Sequence, residues 1–195
     1  MAINLSKGQN AIIDSSMKMA LVGLGWDANN FNGSAPYDLD VSCFLLGTNG
    51  KVLNDEQDFV FYNNLIGRNG AVIHQGDNVD GQGDGDDEVI LINFSKMPSE
   101  IERLVITVTI HDAEIRRQSF GNVSNSYVRV AKIQSESDLD GETVIQFDLE
   151  EEFSTETGLV ACEIYRQDGD WKFRALANGY QGGLEVFCRN YGISV

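Results

Sequence analysis

Leu104-Val105-Ile106-Thr107-Val108-Thr109-Ile110 is the stretch of this sequence that most clearly specifies its fold. In an extended chain, every second side chain points to the same face, so Leu104, Ile106, Val108 and Ile110 form one continuous apolar face. The opposite face carries valine and threonine, which are small and β-branched. This pattern predicts a strand that is buried on one side and lightly covered on the other.

The sequence on both sides of this segment also consists mainly of short strand patterns separated by glycine, asparagine and aspartate. We predict further strands over residues 39–46, 88–94, 127–133, 144–147 and 159–166. Asp168-Gly169 is a hairpin signal that turns the last of these into a strand over 171–175. Helical patterns are few and short, and they cover 98–102, 113–120 and 184–191.

This succession of short strands predicts a fold that is mainly all-β. No long crossover helix is present of the kind that a parallel α/β sheet requires. We therefore expect a β-sandwich of two sheets with a few short helices. The length of 195 residues fits a single domain covering residues 1–195.

The composition restricts the possible partners and the compartment. The formal net charge is −16, which argues against nucleic acid, because phosphates require lysine and arginine. No apolar run approaches the roughly 20 residues that span a bilayer, so we expect no direct membrane insertion. Cys43, Cys162 and Cys188 are scattered and odd in number, which predicts reduced thiols in a cytoplasmic protein.

The segment Gly76–Glu88 concentrates the negative charge. Six of its last twelve residues are acidic, and no lysine or arginine lies between Arg68 and Lys96. Carboxylates this close repel one another, while the interspersed glycines let backbone carbonyls and side chains converge. A hard cation with oxygen ligands would relieve the repulsion, and Ca²⁺ is the first candidate. A solvated acidic turn remains the alternative.

Known loop motifs do not describe this segment. An EF-hand beginning at Asp80 would need a glutamate at its twelfth position, where the chain has Leu91. The glycine–aspartate pattern of calcium-binding β-helices occurs only once, although that architecture needs stacked copies. A phosphate-binding loop would need a lysine after its glycines. The sequence therefore predicts a cation site of another type.

A second acidic segment precedes the 39–46 strand. Asp38 and Asp40 are two positions apart, so both point to one side of an extended chain, while Leu39 and Val41 point to the other. Together with Asp27, they would form a second wall of the cation site. An exposed strand end is the alternative interpretation.

A metal-assisted phosphoester hydrolase is the alternative function, because clustered aspartates can hold two metals for phosphoryl chemistry. Such sites usually add a Lys, Arg or His, and the acidic loop has none close by in sequence. His111-Asp112 ends the 104–110 strand, but one histidine and one aspartate do not make a catalytic dyad. Arg116 and Arg117 follow, and they could pair with Asp112, with Glu114 or with the acidic face.

A set of motifs spread along the chain carries a family resemblance: Gly25-Trp26-Asp27-Ala28-Asn29, Tyr37-Asp38-Leu39-Asp40-Val41-Ser42, Phe44-Leu45-Leu46, Gly76-Asp77-Asn78, Gly81, Gly83-Asp84-Gly85-Asp86-Asp87-Glu88, Ile110-His111-Asp112-Ala113-Glu114, Arg117-Gln118, Phe120-Gly121, Glu163-Ile164-Tyr165-Arg166, Trp171-Lys172-Phe173 and Gly179-Tyr180-Gln181-Gly182-Gly183-Leu184. Taken in order, these motifs resemble those of the TerD family of bacterial tellurite-resistance and stress proteins, and the resemblance covers nearly the whole chain.

The resemblance implies a cytoplasmic β-sandwich without enzymatic activity that binds about two Ca²⁺ ions on acidic loops. It also implies a role in tellurite resistance and the stress response, through partners among other Ter-type proteins, including membrane-attached ones. The predicted metal ligands, from both acidic segments, are Asp27, Asp38, Asp40, Asp77, Asn78, Gly81, Gly83, Asp84, Asp86, Asp87 and Glu88. Direct tellurite chemistry by the three cysteines is a further alternative.

Overall fold

The protein is a sandwich of two β-sheets in a computed structural model that describes residues 2–28, 35–82, 85–149 and 155–195. The prediction of a mainly β fold with two sheets and few short helices is confirmed. The strands are β1 (Ile3–Asn4), β2 (Asn10–Ile12), β3 (Met19–Gly25), β4 (Leu39–Leu46), β5 (Phe59–Val60), β6 (Ile66–Gly67), β7 (Val72–His74), β8 (Glu88–Asn93), β9 (Arg103–Ile110), β10 (Tyr127–Ile133), β11 (Glu142–Asp148), β12 (Gly158–Gln167) and β13 (Asp170–Tyr180).

The strands form a seven-stranded sheet in the order β1-β11-β10-β3-β8-β7-β6 and a six-stranded sheet in the order β2-β13-β12-β9-β4-β5. Neighbouring strands are antiparallel except for the short pair β1 and β11. The inward faces of both sheets meet in one apolar core. Leu24 and Ile90 contribute from the first sheet, and Val41 and Ile106 contribute from the second.

The α-helices found in the described residues are α1 (Ala113–Arg116) and α2 (Gly183–Tyr191), and a 3₁₀ turn covers Phe120–Asn122. Helix α2 packs its apolar side on the outer face of the six-stranded sheet, where Phe187 contributes to a second apolar cluster. Helix α1 is shorter than the 113–120 pattern predicts, because Arg117 adopts a left-handed conformation with φ 54° and ends it. Residues 98–102 form a turn rather than the predicted helical turn.

The core strand β3 lies at the centre of its sheet, although no strand was predicted there from the sequence. Its glycines weaken the strand pattern, but the structure shows why they stand there. A Cβ atom on Gly23 would lie 2.0 Å from the Asp86 carboxylate, and one on Gly25 would lie 2.5 Å from the Tyr127 ring. Both glycines therefore leave room for side chains that cross the outer face of the sheet.

One end of the sandwich collects the acidic segments. Leu24 pairs with Glu88 in the first sheet, so β3 ends where β8 begins. Leu39 pairs with Ile110 in the second sheet, so β4 begins where β9 ends. The Glu88 carboxylate accepts a hydrogen bond from the Val41 N–H, which shows that these two ends belong to the same end of the molecule. The acidic loop and the Asp38/Asp40 segment are consequently neighbours.

Candidate metal site

Asp38 and Asp40 lie at the start of β4, where strand alternation directs both carboxylates to the same side. The intervening Leu39 points into the core and is fully buried. Although this is the end of a strand, Asp38 is only 6% exposed and Asp40 only 4% exposed. Two like charges are therefore held side by side out of water.

Asp77, from the loop that follows β7, completes a group of three carboxylates. One oxygen from each of Asp38, Asp40 and Asp77 can be chosen so that all three lie within 4.8 Å of one another. Because Ca²⁺–oxygen distances are about 2.3–2.6 Å, two ligands on opposite sides of one ion are about 5 Å apart. A single Ca²⁺ could therefore contact all three carboxylates. Asp77 is exposed, so the group is open to solvent on its side.

Burial makes the ionised form of these carboxyl groups unfavourable. It raises the pKa of Asp40 to about 7, and the adjacent Asp38 carboxylate adds to this increase. Burial likewise raises the pKa of Asp38, although the nearby Arg116 opposes the change. A divalent cation would favour the charged forms, so the site has a free-energy reason to bind one.

Glu88, the first residue of β8, lies directly behind this group and is 1% exposed. Burial raises its pKa to about 9, although a hydrogen bond from the Val41 N–H opposes the change. Its other oxygen is 3.4 Å from the Asn78 N–H. The buried His74 Nε2 lies 3.8 Å from the Glu88 carboxylate, and burial lowers the pKa of this histidine. In the part of the chain that the structure describes, Glu88 therefore has no lysine or arginine partner that would keep it ionised by itself.

Two basic side chains contact the group from the segment that follows β9. Arg116 Nη1 lies 3.2 Å from Asp38 Oδ2, and His111 Nδ1 lies 3.4 Å from Asp40 Oδ2. Of the partners considered for Arg116 from the sequence, the structure selects the acidic face. That pairing was one of the alternatives the sequence left open for Arg116, whereas His111 was not predicted to belong to the site. The sequence signal for His111 is its position directly after a strong strand.

Asn78, Gly81 and Asp87 form a second group, which is organised around Trp26. The backbone N–H of Trp26 donates to Asp87 Oδ2 at 3.0 Å, and Asn78 Nδ2 donates to Asp87 Oδ1 at 3.1 Å. Asn78 Oδ1 accepts from the N–H groups of Asp80 and Gly81 at 3.2 and 3.0 Å. Gly81 has a φ of 65°, and a Cβ atom there would lie 2.3 Å from Trp26 Nε1. This part of the loop is thus held in place by hydrogen bonds and by close packing.

Two of the predicted ligands have other partners. Asp86 lies against Arg129, whose Nε is 2.9 and 2.8 Å from the two carboxylate oxygens, and the Tyr127 hydroxyl donates to Asp86 at 3.1 Å. Asp27 accepts a hydrogen bond from the Asn125 side chain. Neither belongs to the group formed by Asp38, Asp40 and Asp77. Gly83 and Asp84, also predicted as ligands, lie outside the described residues.

The helices of the described ranges give no sign of a membrane span, since the longest, α2, has only nine residues.

Comparison with known proteins identifies relatives along the entire length. The TerD domain profile matches residues 1–191. The tellurium resistance protein TerD of Serratia marcescens is 48% identical over 197 residues, covering 100% of this chain and 99% of that protein. General stress protein 16U of Bacillus subtilis is 45% identical over 198 residues, with 100% coverage of both.

A solved structure also resembles the fold. It is that of a homologue of telluride resistance protein TerD from Streptomyces coelicolor, with a TM-score of 0.71 and 21% identity. The match covers 88% of this chain and 95% of the other. At this level of identity, the similarity supports the β-sandwich fold.

Proposed function

The chain belongs to the TerD family of tellurium-resistance and stress proteins, and we propose that it is a calcium-binding, non-enzymatic member of that family. The observation that carries this proposal is the group formed by Asp38, Asp40 and Asp77. Two of these carboxylates are buried, and the three come within 4.8 Å of one another. Burying like charges together is costly unless a cation joins them.

The donor set favours Ca²⁺. It consists of oxygen atoms, which hard cations prefer, and it comes from a strand and a loop rather than from a rigid octahedral cage. Calcium needs six to eight oxygens, so backbone carbonyls and water would supply the ligands beyond the three carboxylates. Glu88 would act from behind the ion, either as a ligand or as a neighbouring charge.

A second ion would lie on the group around Asn78 and Asp87, for a total of about two. Burial raises the pKa of Asp87, which again indicates a carboxylate in an unfavourable environment. The predicted ligands Gly83 and Asp84 adjoin this group in sequence. Two divalent ions would cancel four of the sixteen units of net negative charge.

In this proposal, calcium orders one end of the sandwich, and that end provides a surface for protein partners. The partners would be other Ter-type proteins, including membrane-attached ones, and the site of action would be the cytoplasm. Tellurium resistance and general stress are the roles that the names of the Serratia and Bacillus relatives give. A binding module is consistent with both, because it requires no turnover.

Calorimetry and thermal unfolding of the metal-free protein test the proposal. At a hundredfold excess over the dissociation constant, each site would stabilise the fold by about 2.7 kcal/mol. For a chain of this size, that corresponds to a rise in Tm of roughly 5–10 °C. Asp77→Asn should abolish one binding event, whereas the exposed Asp55→Asn should leave both. Absence of calcium-induced heat, with a Tm unaffected by chelator, would exclude calcium binding.

One observation favours metal-assisted phosphoester hydrolysis as a second candidate. His111 and Arg116 lie against the carboxylates, and they supply the basic groups that the sequence around the loop lacks. If this function is correct, a phosphate-ester turnover that depends on metal will be lost in Asp40→Asn. Turnover that persists in that variant at the wild-type rate would come from a contaminant. Hydrolysis would then be excluded, and calcium binding would remain the proposed function.

A further inference from the structure

A groove of 390 Å³ opens beside the metal site and is separate from most of it. One wall is formed by Asp112–Ile115 at α1, and the other by Gly182–Glu185 at the start of α2. Thr109 and Ile110, at the end of β9, form its floor. We call this feature the α1–α2 groove. Among the described residues, Asp40 is the one that the groove shares with the three carboxylates of the metal site, and Tyr62 and His111 also line the groove.

The carboxylates that line the groove give it a negative charge. Asp40, Asp112, Glu114 and Glu185 line it, and its described lining contains neither lysine nor arginine. Glu185 pairs with Arg189 one helical turn away, but both side chains are more than half exposed, so the pair screens the groove weakly. Asp112 lies 3.8 Å from His111 Nε2. The groove therefore favours a cationic ligand.

The start of α2 does not reverse this preference. Free N–H groups at a helix N-terminus can bind an anion. Here, however, the N–H groups of Gly182 and Gly183 point to the Thr157 hydroxyl oxygen, at 3.1 and 3.3 Å. Two of these donors are thus used within the protein, and Glu185 places a carboxylate in the first turn of α2, which disfavours an anion there.

The groove also presents apolar and aromatic surface. Ile115 is 81% exposed, which is the highest value among the large apolar side chains of the described residues. Leu184 lies on the opposite wall, and Tyr62 packs edge-on against His111 with ring centroids 6.0 Å apart. An exposed isoleucine at a concave, acidic surface is typical of a protein interaction site, where apolar contacts combine with charge pairing.

We propose that the α1–α2 groove binds a segment of a partner protein that presents an arginine next to an apolar side chain. The guanidinium would contact the Asp112 and Glu114 carboxylates and lie near the Tyr62 ring, an arrangement that suits arginine better than lysine. The apolar neighbour would cover Ile115. The protein already contains an arginine–carboxylate pair in this region, because its own Arg116 contacts Asp38.

The proposal goes beyond calcium binding and does not depend on it. Asp112, Glu114 and Glu185 are not among the proposed metal ligands, so the groove keeps these carboxylates whether the ion is bound or not. Calcium would change only the charge near Asp40. A test in chelator therefore probes the groove alone, and a test with Ca²⁺ probes its communication with the metal site.

An NMR titration of the full chain with three blocked peptides tests the proposal. The probes are acetyl-Leu-Arg-Leu-amide and the same peptide with citrulline or glutamate in place of arginine, each with chelator and with Ca²⁺. We expect the arginine peptide to shift the amide signals of Glu114, Ile115 and Leu184 in a saturable manner. Citrulline has nearly the shape of arginine without its charge, and it should bind at least threefold more weakly.

Two pairs of variants locate the binding. Glu114→Gln should weaken the arginine peptide about threefold, whereas Glu142→Gln on β11 removes the same charge elsewhere and should change nothing. Ile115→Ser should weaken it about fivefold, whereas Ile12→Ser, at an isoleucine 69% exposed on β2, should leave binding unchanged.

Several outcomes would overturn the proposal. One is the absence of any shift in the groove at about 10 mM peptide, which is roughly the weakest affinity that such a contact would have. Equal binding of the arginine and citrulline peptides would show that the positive charge is not recognised. Amide shifts outside the groove would show that the peptide binds elsewhere. Peptide binding that occurs with Ca²⁺ but is lost in chelator would make the groove part of the metal site. Loss of calcium binding with intact peptide binding would refute only the proposed function.

Discussion

Asp40→Asn tests whether the Asp40 carboxylate serves as a cation ligand or simply stabilises the fold. The pKa of Asp40 is raised to about 7 by burial and by the adjacent Asp38, compared with an ordinary value near 4. A group with a raised folded-state pKa contributes stability that is fully present below its unfolded pKa. That stability is lost as the pH rises through the folded-state pKa. Metal-free protein should therefore lose stability between pH 4 and pH 8.

The structure sets the size of this effect. The folded-state pKa of Asp40 exceeds its ordinary value by about three units. At 1.36 kcal/mol per unit, this corresponds to a loss of about 4 kcal/mol of folding stability once the Asp40 carboxyl is fully ionised. Asp38 lies alongside and can take up the same proton, so this value is an upper bound. Asparagine has a similar shape and no charge. We expect Asp40→Asn to stabilise the metal-free protein at pH 8 by about 1–3 kcal/mol and to lose most of this advantage at pH 5.

With calcium bound, the wild type should become more stable than Asp40→Asn. The wild type gains about 2.7 kcal/mol per site at a hundredfold excess of Ca²⁺, whereas the variant lacks one ligand and should gain much less. Urea unfolding followed by tryptophan fluorescence measures both effects, since Trp26 adjoins the acidic loop. The matched control is Asp55→Asn, an exposed aspartate beyond the other end of β4, which should change neither quantity.

Two results for Asp40→Asn would contradict a cation site at Asp40. If Asp40→Asn destabilises the metal-free protein by the same amount at pH 5 and pH 8, the carboxylate is an ordinary hydrogen-bonding group, and its burial says nothing about a cation. If the variant responds to Ca²⁺ as the wild type does, Asp40 is not a ligand. Either result would remove the main support for the calcium site.

Four further predictions concern the same end of the sandwich. Calcium affinity should fall from pH 8 to pH 6, because protons compete with Ca²⁺ for Asp40. Calorimetry in buffers of different ionisation enthalpy should show that calcium binding releases protons, and equal affinity at both pH values would contradict this. Arg116→Gln should raise calcium affinity up to about tenfold in the same assay, since it removes a competing positive charge. A decrease in calcium affinity would instead show that Arg116 supports the structure of the site. Gly81→Ala should lower the free energy of unfolding by roughly 2 kcal/mol more than Gly85→Ala, because both have positive φ but only the former meets a neighbouring ring. Asp86→Asn should destabilise the fold by about 1–3 kcal/mol without changing calcium stoichiometry, and loss of one ion would restore it as a ligand.

The fold could largely be predicted from the sequence because alternation is a local property. Leu39–Leu46 and Arg103–Ile110 are read from their own residues, and the structure has strands at both. Strand β3 was missed for the opposite reason. Its glycines lower the local propensity, and their purpose is visible only when Asp86 and Tyr127 arrive from distant parts of the chain. Tertiary contacts override local preference at such positions.

The candidate site could be predicted only in part. The spacing of Asp38 and Asp40 is enough to place their carboxylates on one side, because strand alternation decides it. The sequence does not show that both are buried, nor that Arg116 and His111 approach them, because these depend on how β4 and β9 end together. Nor does it show that Asp86 lies against Arg129, which is 43 residues away. The many acidic residues of the loop identify the region from the sequence. Which residue each carboxylate contacts depends on the tertiary structure.

That partner choice distinguishes a cation site from an acidic turn. Asp86 is paired with a nearby guanidinium, Asp87 accepts two hydrogen bonds, and Asp27 accepts one from Asn125. For Asp38, Asp40 and Asp77, the arginine contact found in the described structure is that of Arg116 with Asp38. One divalent ion together with this arginine would supply three positive charges for three carboxylates, whereas a monovalent ion would leave one buried charge unbalanced. The charge balance therefore favours a divalent cation with Arg116 retained beside it.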